Sequence, residues 1–201
     1  MKSTSSFFIL TVIAALFALG SCKNRTNTAD NTEKQIAERI QNLDVVAFAN
    51  LYCKTTDLDK ARIFLGKTTD SLFTVMKDVE NNYAKVYANS KYENSLEFYM
   101  WTDKDGAKVL GVYLLETAEK GVQKSLQFYT YDARLNMAVP YKRLNEIFTD
   151  YLMSIRKKIK EFALKIPTSP ENENIYFEYW DKQKNHHEIV FVWDGKTFKV
   201  E

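Results

Sequence analysis

The stretch SLEFYMWTDKDGAKVLGVYL, residues 95–114, decides how the rest of the chain is read. Leu96, Phe98 and Met100 alternate with Glu97, Tyr99 and Trp101. A period of two suits a half-buried strand, because successive side chains point to opposite faces. Asp103-Lys104-Asp105-Gly106 supplies a turn, and the largely apolar run 108–115 reads as a central strand. Lys120-Gly121 marks another turn, after which Val122, Lys124, Leu126 and Phe128 alternate with Gln123, Ser125, Gln127 and Tyr129. The three segments form an antiparallel meander.

IYFEYWDKQKNHHEIVFVWD, residues 175–194, repeats the pattern of aromatic strand, charged turn and apolar strand. Residues 196–200 add a last strand, and Asp194-Gly195 carries the signal of a type I′ hairpin. Between the meanders, Pro140 opens an element whose Leu144, Ile147, Phe148, Tyr151, Leu152, Ile155, Ile159 and Phe162 mark one helical face, closed by Pro167 and Pro170. Nearer the start, Ile36, Ile40, Leu43, Ala47 and Leu51 form one helical stripe. Asp57 is positioned to cap a short turn that Gly66 ends. Leu72, Val75, Met76, Val79, Tyr83 and Val86 form another stripe, with Thr69 or Asp70 as N-cap. The order helix, helix, three strands, long helix, three strands predicts a single α+β domain over residues 33–201. It would hold an antiparallel sheet of about six strands in two meanders, with helices packed on one face. The two α-βββ units read as a quasi-repeat.

The chain has 28 basic and 26 acidic residues, a formal charge of +2. So even a balance lacks the basic field that nucleic acid requires. Arg156, Lys157, Lys158 and Lys160 read as the wet side of the long helix. The sequence has no glycine-rich phosphate loop, GxSxG, HExxH or CxxC. His186 and His187 are adjacent on a strand and so point to opposite faces, which is unsuited to one metal ion. Asp103 and Asp105 serve turn chemistry and lack the distal glutamate of a calcium loop. With Cys22 set aside, Cys53 has no partner for a disulfide and reads as a small buried apolar group. No cofactor, metal or catalytic residue is expected from these patterns.

Aromatic residues make up 14% of the chain. If Leu96, Phe98, Met100, Leu126 and Phe128 face the helices, then Tyr99, Trp101, Tyr129, Tyr131, Tyr176 and Trp180 share the other sheet face with Gln127 and Glu178. Such side chains offer large contact area with a polar handle, so these six residues are the candidate binding face for a protein or glycan.

A charged start, an apolar run from Phe7 to Leu19 and the small residues Gly20 and Ser21 give the layout of a secretory signal. The run is shorter than the roughly 20 apolar residues that span a bilayer. Leu19-Gly20-Ser21-Cys22 resembles the lipobox of bacterial lipoproteins. That resemblance implies a signal peptide over 1–21, a diacylglycerol thioether on Cys22 and a flexible polar tether to residue 32. Two or more acyl chains then hold a soluble domain on a membrane where one would not. The segments FVWDGKTFKV and LQFYTYD are similar to those of small uncharacterised lipoproteins of Bacteroidetes-type bacteria. Such bacteria mark surface export by an acidic run after the cysteine, and none follows Cys22. The implied location is therefore the outer membrane, facing the periplasm. The resulting expectation is a non-catalytic binding or scaffolding lipoprotein. Its rivals are an immunity or inhibitor lipoprotein using the same face, and an enzyme with an unrecognised carboxylate or tyrosine site.

Overall fold

The computed structural model describes residues 25–56, 72–89, 94–118, 121–168 and 173–201. The signal segment, Cys22, the turn expected at 57–66 and the caps Thr69 and Asp70 lie outside the described residues. The chain divides into two units, 1–41 and 42–201. In the first, helix α1 runs Arg25–Gln41, so the stretch expected to be a tether is helical from residue 25. The expected single stripe through Leu43 is broken, because Asp44 starts a new helix, α2 (Val45–Thr55). Its carboxylate accepts the Ala47 N–H at 2.7 Å, satisfying one of the open donors of a helix start.

The second unit is an α+β fold with a six-stranded antiparallel sheet against which helices pack. That sheet is a meander in sequence order: β1 (Phe73–Asp78), β2 (Tyr83–Ala88), β3 (Ser95–Thr102), β4 (Lys108–Ala118), β5 (Gly121–Asp132) and β6 (Met137–Pro140). Helix α3 (Lys142–Ile155) follows. A second antiparallel meander then has β7 (Ile159–Lys165), β8 (Ile175–Asp181), β9 (His186–Trp193) and β10 (Phe198–Val200), with β7 and β10 at its edges. Each meander is thus preceded by a helix, but the units are larger than α-βββ.

Two expected helical segments are strands. Residues 73–88 form a hairpin, in which Tyr83, Lys85 and Tyr87 alternate with Ala84, Val86 and Ala88. Asn82, with φ of 54°, takes the left-handed position of its turn, which asparagine tolerates better than most residues. The long helix stops at Ile155, and Phe162 and Leu164 turn inward from β7 instead. Apolar spacings of three and four do not distinguish these outcomes once a bulge interrupts the strand, as it does between Ile159 and Glu161.

The large sheet is buried on both faces. On one, Phe98, Met100, Leu110, Val112 and Tyr129 pack with Phe48, Ala49, Tyr52 and Cys53 of α2. On the other, Tyr99, Trp101, Val109 and Phe128 meet α3 and the small sheet, with Phe148 of α3 stacked on Phe191 of β9 at 4.2 Å. The helices therefore lie on opposite faces of the large sheet, not on one. Gly111 sits beneath the Trp101 ring, and a Cβ there would come within 2.6 Å of it. Gly111→Ala should destabilise the domain by about 1–3 kcal/mol, because a buried ring must shift. Urea unfolding measures this, and an unchanged midpoint would count against the packing.

Aspartates open the turns. Asp103 accepts backbone N–H groups from Asp105 and Ala107, Asp132 from Arg134 and Leu135, Asp181 from Asn185, and Asp194 from Lys196 and Thr197. The last turn centres on Gly195-Lys196, with positive φ at Gly195 alone, and so is not the expected type I′. The ammonium of Lys199 at 2.9 Å, with the Thr197 N–H, pulls the Asp194 carboxyl down to about 2 from its ordinary 3.8. The His187 ring, followed by Asn185, pulls Asp181 down to about 2 as well. Both groups are depressed in the folded state, so their stabilisation is complete above about pH 4 and fades as pH falls through about 2. Asp194→Asn and Asp181→Asn should flatten the fall in melting temperature between those limits. A fall as steep as that of the parent would contradict the assignment.

Candidate functional site

The six aromatic residues expected on one face are divided among three. Tyr99 and Trp101 are 7% and 3% exposed, within the core between the two sheets. Tyr129, 7% exposed, and Tyr131 lie on the opposite face, where Tyr129 meets Tyr52 at 4.7 Å and Tyr131 meets Phe48 at 6.0 Å. The error is one of parity. Leu110 pairs with both Met100 and Tyr129, so Tyr129 shares the side of Met100 and not that of Trp101. An open patch built on Tyr99, Trp101 and Tyr129 is therefore excluded. Tyr176 and Trp180 alone lie together, on the outer face of the small sheet.

That outer face belongs to neither core. Trp180 is flanked by Glu161 and His186, Glu178 by Ala163 and Glu188, and Tyr176 by Lys165 and Val190. Trp180 packs on His186 with ring centres 5.0 Å apart, and His186 Nε2 is 3.7 Å from Glu178. Glu178 and Glu188 stand directly opposite one another, and like charges so placed destabilise a sheet. Glu188→Thr should raise the stability of the free domain by about 0.2–1 kcal/mol. A lower melting temperature in that variant would show that the carboxylates do not oppose each other.

His187 turns inward, as alternation requires, and lines a different feature. A cleft of about 280 Å³ opens where the α3–β7 connection meets the β8–β9 turn. Lys157 and Lys158 come from the connection, and Asp181, Lys182 and Gln183 from the turn. Tyr179 and His187 form a wall, their rings stacked at 4.7 Å and 12°. His187 Nε2 is 3.1 Å from Asp181 Oδ2, which also accepts from Asn185 Nδ2 at 3.0 Å. The basic run expected on a helix side thus follows the helix C-terminus, where positive charge complements the dipole.

A third polar cluster serves the fold. Glu97 accepts hydrogen bonds from Tyr99 at 2.5 Å, Ser95 at 3.3 Å and Tyr83 at 3.4 Å, and pairs with Lys85 at 2.7 Å. Burial, then the Glu97 charge, pushes the Tyr83, Tyr99 and Tyr113 hydroxyls upward. These phenols are held as neutral groups, the wrong state for a tyrosinate base.

Among the described residues, no group of three or more His, Cys, Asp or Glu is placed to hold a metal ion. No described helix is long and apolar enough to cross a membrane. No family model matches the chain, and neither a curated protein nor a solved structure was found to match it.

Proposed function

We propose that the protein is a non-catalytic binding module, held on the periplasmic side of the outer membrane by lipid on Cys22. It meets a protein partner through the outer face of the small sheet. The observation that carries this reading is the opposed pair Glu178 and Glu188, set between Tyr176 and Trp180 on a face that joins neither core. A basic side chain from the partner relieves the repulsion between the carboxylates and stacks its cation on the Trp180 ring. Tyr176 and Trp180 supply anchoring area with little side-chain entropy to lose.

Two experiments test the parts separately. Alkyne-palmitate should label the wild-type chain in cells and leave Cys22→Ala unlabelled; equal labelling would remove the anchor from the reading. A photo-crosslinking residue at position 176 or 188 should give a discrete product in cells. The same residue at Leu135 or Met153, both exposed elsewhere, should not, and Glu178→Lys should abolish the product. Absence of crosslinking at 176 and 188, or equal crosslinking at all four sites, would defeat the outer-face reading.

A further inference from the structure

The cleft beside the β8–β9 turn is not used by that reading, and its charges ask for a ligand. Among the described residues, lysine ion pairs use Lys85, Lys142 and Lys199. None uses Lys157, Lys158 or Lys182. Asp181 is the only carboxylate lining the cleft, and its oxygens are already engaged by His187 and Asn185. Three lysines therefore line one cavity with a single carboxylate, which leaves an excess of positive charge there.

The cavity's shape narrows the choice of anion. About 280 Å³ falls just below the usual range of small-molecule pockets, roughly 300–1,000 Å³, and suits a head group more than a large ligand. One wall is rigid, because Asp181 fixes the His187 ring on one edge and Tyr179 stacks on its face. The donors are lysines from two separate segments, with no guanidinium fork among the lining residues. Lysines hold phosphate as point charges, and the bidentate fork that arginine offers carboxylate and phosphate alike is missing from this lining.

We propose that this cleft is a binding site for a phosphate-bearing ligand, held by Lys157, Lys158 and Lys182 against the His187 wall. Such a phosphate comes either from a free phosphorylated molecule or from a phospholipid head group. The outer-face interaction does not depend on it.

The chain contains two histidines, so histidine-selective carbon labelling gives one probe in the cleft, His187, and an internal reference on the outer face, His186. The full chain in dodecyl maltoside should show a saturable shift of the His187 signal on titration with inorganic pyrophosphate, with His186 unmoved. The apparent Kd should weaken roughly five- to tenfold in Lys158→Gln and again in the double variant with Lys182→Gln. Citrate at matched ionic strength should have no such effect. In a second arm, the chain sits in phosphatidylcholine nanodiscs with or without phosphatidic acid. A His187 shift there but not with pyrophosphate keeps the site and assigns it to a lipid head group. A shift with pyrophosphate but not in nanodiscs assigns it to a free ligand. The proposal is overturned if neither probe moves His187, if citrate moves it equally, or if the lysine variants leave the response unchanged.

Discussion

The indole of Trp101 joins the two sheets. It rises from β3 over Gly111, lies 5.4 Å from Phe198 and 6.5 Å from Trp193 of the small sheet, and packs on Phe128 of β5 at 6.0 Å. Its N–H, which would be costly to bury unpaired, donates to the Glu173 carbonyl at 2.9 Å, just ahead of β8. One side chain thus fixes both the separation of the sheets and the entry of the second meander. Because α2 covers the opposite face, β3 and β4 are buried twice over. This accounts for near-continuous apolar and aromatic runs in strands that an exposed antiparallel sheet would alternate with polar groups.

The position of α3 follows from the end of β6. Pro140, paired with Tyr129, closes that short strand; the Phe128 carbonyl still accepts the Tyr141 N–H at 2.8 Å, but the Phe128 N–H needs another partner. Asn145 of α3 provides it: its Oδ1 accepts the Phe128 N–H at 2.7 Å, and its Nδ2 adds a second bond to the Phe128 carbonyl at 3.0 Å. The helix is clamped to the edge of β5, and Phe148, one turn on, reaches the inner face of the small sheet. The small sheet spends that one face on α3 and Trp101, and its other face remains outside both cores.

The parts of this fold legible in the sequence are those set by neighbours in the chain. Period-two alternation locates β3, β4, β5, β8 and β9, and the aspartates at 103 and 181 mark turns as polar groups that accept nearby backbone N–H. What alternation cannot give is parity between strands. Whether Tyr129 shares a face with Trp101 or with Met100 depends on long-range register, and a shift of one residue reverses it. That is why aromatics expected to be displayed are core. The hairpin at 73–88 and strand β7 were hidden for another reason: Val75, Met76 and Val79, like Ile159 and Phe162, satisfy a helical spacing by coincidence. The signals in favour of strands, Asn81-Asn82 and the alternation after Tyr83, are shorter than the helical window that competes with them.

The cleft shows the same limit and one further regularity. Each of its side chains is plain in the sequence, but the basic run at 156–160 and the turn at 181–185 meet only through the pairing of β7 with β8. The turns at 103–107 and 181–185 share one hydrogen-bond pattern. In each, the aspartate carbonyl accepts an N–H from the third residue on, and the aspartate N–H donates to the fourth. The left-handed position is Gly106 in the first, with φ of 82°, and Lys184 in the second, with φ of 67°. A side chain there costs about 1–2 kcal/mol that glycine avoids. The two turns otherwise share this geometry, so a glycine would fit the second as well. The turn with the side chain at that position is the one that carries Asp181, Lys182 and Gln183 to the cleft. Local strain is tolerated where surrounding structure over-determines it, and it concentrates at sites that bind.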